Sequence, residues 1–181
     1  MKIKYFSLPI LFQVLISATA QAQSNGADIN EQLVNTWNIH NNINLYLLQE
    51  IPAGHLKDLS ASKGRTVGEQ FAHIHTNRLQ WLNEISPDLT KDLVDLVEGN
   101  ALLTKELLIT QLTKSSKAIE ALLRRSLKEG SLKSYHHPTT FFGYLISHES
   151  HHRGQIVLSL KQSGHPLSEK VSYGLWNWTN N

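Results

Sequence analysis

Apolar residues recur at steps of three and four positions in four long stretches of this chain, a pattern that predicts four amphipathic helices. The helices are expected at residues 28–49, 66–85, 104–129 and 139–163. A weaker helical pattern follows the second stretch, at residues 89–97. No stretch shows a convincing alternation of apolar and polar residues, so we predict an all-α fold.

The residues at the ends of these stretches are ones that start and stop helices. Thr66 and Glu69 have the spacing of a capping box at the start of the second helix. Gly130 follows the third helix, where a glycine readily ends a helix. Pro138 precedes the fourth helix and Gly164 follows it. Four long helices with a longer connection after the second favour a four-helix bundle.

The N-terminus has the pattern of a secretory signal. Two lysines open the chain, an apolar run covers residues 5–16, and residues 20–22 read Ala-Gln-Ala, an A-x-A cleavage signature. The apolar run is too short to cross a bilayer comfortably. We therefore expect a signal peptide at residues 1–22, a single domain at residues 23–181, and export to the periplasm or the extracellular space.

Charge and cysteine content remove several classes of function. The chain has 17 Lys and Arg residues and 15 Asp and Glu residues, and the predicted signal contains two of the lysines and no acid. The remaining domain is therefore neutral and has no general attraction for a phosphate backbone. We expect no nucleic-acid partner, and no membrane association after signal removal. The absence of cysteine removes disulfides, thiolate ligands and thiol nucleophiles.

Two of the ten histidines lie on the apolar stripe of the fourth helix. His148 and His152 are four residues apart, so they share one face, in line with Phe141 and Leu145. Burying two imidazoles is costly unless they have partners. Two neutral imidazoles so placed can bind one divalent transition metal, and we predict a metal site on this helix.

A metal site needs at least a third protein ligand, and the second helix is the best source. It carries His73 and His75, which point to different sides because they are two residues apart. The apolar periodicity would place either near the core, so the residues alone leave the choice open. His151 is expected at the rim. The other histidines are expected to be structural, and they are His40, His55, His136, His137 and His165.

The same segment of the fourth helix also reads H-E-x-x-H, the pattern of a zinc metalloprotease. That reaction would use Glu149 as general base and a third ligand further along the chain. The one acid after His152 is Glu169, which lies among turn residues. Glu149 is also adjacent to His148, so it is expected to face away from the metal. Proteolysis is therefore a second alternative.

Three segments of the sequence resemble a known family, and together they extend over the whole predicted domain. They are V-G-E-Q-F-A-H-I-H at 67–75 with Arg78 and W-L at 81–82, H-E-S-H-H-R-G-Q-I at 148–156, and Y-G-L-W at 173–176. The chain looks like a member of the DinB/YfiT-like metalloenzyme superfamily. The segment at 148–156 is the most specific part of this resemblance.

The resemblance implies an up-down-down-up four-helix bundle with a three-histidine site for a divalent metal, often nickel or zinc. Carried onto this sequence, the implied ligands are His73, His148 and His152, with His75 as the alternative to His73. Polar residues of the first helix, Asn38 or Asn41, are candidates to hold the free ring nitrogens.

The expected function is metal-dependent hydrolysis or group transfer on an unidentified small molecule. Such a metal would activate water or polarise a substrate oxygen. Some members of the family use low-molecular-weight thiols, which an exported protein would not readily meet. The first alternative is a helical bundle that holds metal without turnover. We also allow for a homodimer.

Overall fold

Helix boundaries follow the apolar pattern of the sequence closely. The computed structural model describes residues 28–96 and 103–179, and the predicted signal peptide at residues 1–22 lies outside them. Over the described residues the fold is all-α, without strands, which confirms the predicted class. The helices are α1 (Ile29–Glu50), α2 (Val67–Ile85), α3 (Lys105–Glu129), α4 (Pro138–Gln162) and α5 (Glu169–Gly174).

The predicted helix ends are present in the structure. The Thr66 hydroxyl accepts from the Glu69 amide at 3.3 Å, and the Glu69 carboxylate accepts from the Thr66 amide at 2.8 Å. Two otherwise free amides are thus satisfied at the start of α2. Gly130 ends α3 with φ at 68°, a conformation that glycine adopts at little cost.

Two apolar clusters form the core, and we name them the Phe71 cluster and the Phe141 cluster. α1 and α4 run from the Phe141 cluster to the Phe71 cluster, whereas α2 and α3 run the opposite way. These are the directions expected of an up-down-down-up bundle. The Phe71 cluster includes Leu47, Phe71, Leu112 and Ile156, and the Phe141 cluster includes Trp37, Leu82, Ile119 and Phe141.

A layer of buried polar side chains separates the two clusters along every long helix. His40 and Asn44 come from α1, Arg78 from α2, Ser115 from α3 and Glu149 from α4, and each is fully buried. Such groups are stable inside a protein when they bond to one another. None of the described helices is both long and apolar enough to cross a bilayer.

The weak helical pattern at residues 89–97 does not produce a helix over the part that the structure describes. A short 3-10 turn at Pro87–Leu89 is followed by irregular backbone up to residue 96. Side chains of the neighbouring helices instead form hydrogen bonds with the backbone groups of this segment. The Val94 amide donates to the Gln111 side chain at 3.1 Å, and the His75 ring contacts the Val94 carbonyl at 2.8 Å. These bonds replace the ones that a helix would form.

The C-terminal segment packs on α1 through a small residue. A methyl group added to Gly174 would lie 2.5 Å from the Tyr46 ring, so the glycine permits a close approach of α5 to α1. Val171 is buried beside it, whereas Tyr173 and Trp176 remain 70% and 80% exposed. The segment therefore docks by its aliphatic residues rather than by these two aromatic rings.

Candidate metal centre

Three imidazoles converge between α2 and α4. The ring centroids of His148 and His152 are 4.5 Å apart. The ring centroid of His73 lies 5.3 Å from that of His148 and 4.6 Å from that of His152. One nitrogen of each ring lies within 4.8 Å of the others, so the group could hold a metal ion. The i, i+4 spacing on α4 places two of the rings, and packing of α2 against α4 brings the third.

Gln70 fixes the orientation and the tautomer of His152. Its side-chain oxygen accepts from Nδ1 of His152 at 2.6 Å, so that nitrogen carries the proton. The unprotonated Nε2 of His152 then faces Nε2 of His148 at 3.2 Å. Histidines that bind metals commonly have one ring nitrogen held in this way by an outer partner.

Burial keeps the two converging rings of α4 neutral. It lowers the pKa of His152 to about 3, and the neighbouring rings of His148 and His73 lower it further. Burial also lowers the pKa of His148, while Glu149 opposes this shift and the charge of Arg65 contributes to it. Metal binding requires neutral imidazole, so His148 and His152 are in the correct protonation state at neutral pH.

The spacing of the two facing nitrogens on α4 suits a shared metal ion as well as it suits a hydrogen bond. Two nitrogen ligands bound tetrahedrally at about 2.1 Å from zinc lie about 3.4 Å apart, close to the 3.2 Å between His148 and His152. Nδ1 of His148 is buried and has no hydrogen-bond partner among the described residues. The nitrogen of His148 that faces His152 is Nε2, so Nδ1 is the ring nitrogen that an outer partner would hold.

His75 does not join the three rings. It is fully buried, with Nδ1 3.1 Å from the Gln111 carbonyl and Nε2 2.8 Å from the Val94 carbonyl. Burial lowers the pKa of His75, although the contacts with the Val94 and Gln111 carbonyls oppose this shift. A neutral ring donates to one of these two carbonyls at a time, so His75 links α2 either to α3 or to the irregular segment after α2. The structure thus resolves the geometry that periodicity left open, since His73 faces α4 and His75 faces α3.

Glu149 points away from the imidazoles into the polar layer. Arg78 donates to both of its oxygens, from Nε and from Nη2, at 2.7 Å each. His40 and Asn44 donate to the second oxygen at 2.9 Å and 2.7 Å. Burial alone would raise the pKa of Glu149, but Arg78 and these donors hold it well below its usual range. This carboxylate is a structural anion and is not placed to act as the base of a protease.

A second arginine completes the polar layer. Nη1 of Arg153 donates to the Asn44 side-chain oxygen at 2.7 Å and to Nδ1 of His40 at 3.3 Å. His40 therefore accepts at Nδ1 and donates from Nε2 to Glu149, which requires the neutral ring. Burial lowers the pKa of His40 and outweighs the opposing effect of Glu149.

The outer partner of His152 comes from α2, whereas Asn38 and Asn41 of the first helix are the candidates that the sequence suggests. Asn41 accepts from Nη1 of Arg78 at 3.0 Å and so belongs to the polar layer. The residue that holds a site histidine is Gln70. Its position three residues before His73 on α2 is a detectable signal, because residues at that spacing share one helix face.

A comparison with protein families supports the interpretation of the site. The sequence model described as "DinB family" matches residues 22–177, which is most of the chain and includes all three converging histidines. A comparison with curated proteins finds no match.

Proposed function

The chain belongs to the DinB family, and we propose that it is an exported metal-dependent hydrolase or group transferase acting on a small molecule. The metal is divalent, with nickel or zinc preferred, and its ligands are His73, His148 and His152. The observation that carries the proposal is the convergence of three imidazole rings, one of them held by Gln70.

The chemistry of the site follows from its donor set. A divalent metal held by three imidazoles keeps coordination positions for other groups, and it supplies Lewis acidity toward water or a substrate oxygen. The protein contributes ring orientation through Gln70 and a rigid support through the ion pair beneath α4. Glu149 takes no part as a base, because all its contacts lie in the polar layer.

Metal analysis of the purified, tag-free protein tests the site. We expect His148→Ala to bind one equivalent of Ni²⁺ or Zn²⁺ less than the wild type. His151→Ala is the matched control, because it removes an exposed neighbouring histidine. His75→Gln should also retain the metal, whereas His73→Gln should not. Equal metal content in His148→Ala and the wild type would contradict the proposed ligand set.

Turnover requires a separate test. The metal-loaded protein is assayed against panels of esters, amides and thiol-transfer substrates, with His148→Ala as the inactive control. Activity lost in that variant and kept in His151→Ala supports the enzyme. Metal binding without activity on any panel would favour a bundle that holds metal without turnover. Export is tested by sequencing the N-terminus of the mature protein, which should begin after residue 22.

A further inference from the structure

A second group of side chains that could hold a metal ion lies at the C-terminal end of α4. His55 belongs to a 3-10 helix after α1, Asp58 ends that helix, and His165 follows α4. α4 rises about 1.5 Å per residue, so the eleven residues from His152 to Ser163 alone span about 16 Å. The group is therefore separate from the three imidazoles between α2 and α4.

The backbone around this second group is firmly positioned. Beyond α4, the His165 amide donates to the Leu160 carbonyl at 2.9 Å and the Gly164 amide donates to the Lys161 carbonyl at 3.2 Å. This pair of bonds is the Schellman motif, and Gly164 has the positive φ of 84° that it requires. These two hydrogen bonds therefore fix the backbone position of His165 relative to the C-terminus of α4.

The loop that carries Asp58 is tied to the same helix end. The Ser163 hydroxyl accepts from the Leu59 amide at 3.3 Å and donates to the Leu59 carbonyl at 3.2 Å. The Gln162 side chain accepts from the Ala61 amide at 2.7 Å. The three side chains therefore come from two segments that the fold already holds together.

One carboxylate oxygen faces both imidazoles. Oδ2 of Asp58 lies 2.7 Å from Nδ1 of His165 and 3.5 Å from Nδ1 of His55, and the two ring centroids are 3.7 Å apart. The shorter contact is a hydrogen bond, but 3.5 Å is too long for one. Two ligand atoms bound about 2.1 Å from a tetrahedral metal are about 3.4 Å apart. The 3.5 Å between Nδ1 of His55 and Oδ2 of Asp58 is therefore suitable for two ligands of one metal ion.

The group is accessible on one side and buried on the other. The Asp58 side chain is 7% exposed, whereas those of His55 and His165 are 30% and 42% exposed. Both histidines line a cavity of about 390 Å³, together with Glu50 and Leu167. An ion can reach the two rings from solvent through this cavity, while the carboxylate is fixed below them.

We propose that His55, Asp58 and His165 form a second site for a divalent transition metal. Two imidazoles and one carboxylate suit Zn²⁺, Cu²⁺ and Fe²⁺. The bound ion joins the segment after α1 to the end of α4, and the cavity beside it leaves further coordination positions open to small ligands. Binding opens the Asp58–His165 contact from 2.7 Å toward the longer spacing.

Zn²⁺ titration by calorimetry in the His148→Ala background tests this second site. One equivalent should bind, and His165→Gln in that background should weaken its binding by more than about 100-fold, the largest loss that removal of an outer partner alone typically causes. Asp58→Asn should act in the same direction. His136→Gln removes an exposed histidine elsewhere and is the matched control.

The wild type provides a second measurement that does not depend on how well His148→Ala folds. Native mass spectrometry should show two Zn²⁺ per chain in the wild type and one in His165→Gln. An unchanged count in His165→Gln, or equal weakening by His136→Gln, overturns the second site. Loss of zinc by His165→Gln but not by His148→Ala would instead refute the three-histidine site.

Discussion

Arg78 and Glu149 form a fully buried ion pair in which two guanidinium nitrogens each donate to one carboxylate oxygen at 2.7 Å. The guanidinium also lies 4.9 Å above the Trp37 ring and bonds to the carbonyl of Leu112. The pair therefore joins α2 to α4 directly behind the histidines that those helices carry. The glutamate of the H-E-x-x-H string supports the site and does not act in it.

Glu149→Gln should destabilise the protein without removing the metal ligands. The neutral amide leaves the buried Arg78 uncompensated, and breaking such a pair costs about 3–5 kcal/mol in the free energy of unfolding. Urea denaturation measures this loss, and metal analysis of the folded fraction should show the wild-type content.

Replacing both partners provides the control. Arg78→Met combined with Glu149→Met removes both buried charges, so its free energy of unfolding should lie above that of Glu149→Gln. A stable Glu149→Gln protein that has lost its metal would show that the carboxylate serves the metal centre directly.

Gln70→Met should weaken metal binding while leaving all three histidines in place. The glutamine oxygen fixes the protonated nitrogen of His152, and loss of such an outer partner typically lowers metal affinity by about 10–100-fold. Chelator competition measures the affinity. Gln155→Met, at a half-buried glutamine of α4, is the matched control and should bind metal as the wild type does.

His40 should make stability depend on pH below about 6.5. Its pKa is lowered in the folded state by burial, so the unfolded chain takes up the proton first. Its contribution is complete above the unfolded pKa of about 6.5 and decreases by up to about 1.4 kcal/mol per pH unit as pH falls toward the folded pKa. Urea denaturation at pH 7 and pH 5.5 measures the slope.

His40→Gln isolates this contribution. A glutamine can donate to Glu149 and accept from Arg153 but does not titrate. The pH slope of the variant should be shallower than that of the wild type, and identical slopes would exclude His40 as the source.

Gly174→Ala should loosen the contact between α5 and α1. The added methyl group would lie 2.5 Å from the Tyr46 ring, which must move or release the segment. Overpacking of this kind costs about 1–3 kcal/mol. Thermal unfolding and proteolysis of the C-terminal segment measure the effect.

Gly154→Ala is the comparison for that substitution. Gly154 lies within α4 with no heavy atom near its added methyl group, so alanine should be neutral or stabilise the helix by about 0.5–1 kcal/mol. If Gly174→Ala and Gly154→Ala had the same unfolding temperature and the same proteolysis, the contact between Gly174 and Tyr46 would not require a glycine.

Local sequence signals were enough to locate the helices and two of the three converging histidines. Periodicity and capping residues located α1 to α4 to within one or two residues, because those signals act over a single turn. The His148 and His152 spacing likewise placed two rings on one face without reference to other helices. The family resemblance added His73 to the expected ligands.

Which polar groups meet across helices was settled by the packing of the bundle. His73 and His75 are equivalent by periodicity, and packing of α2 between α3 and α4 separates their roles. The Arg78–Glu149 pair and the group of His55, Asp58 and His165 join residues far apart in the chain. Local sequence carries no signal for such pairs, because their energy depends on burial and on partners that only the packed core supplies.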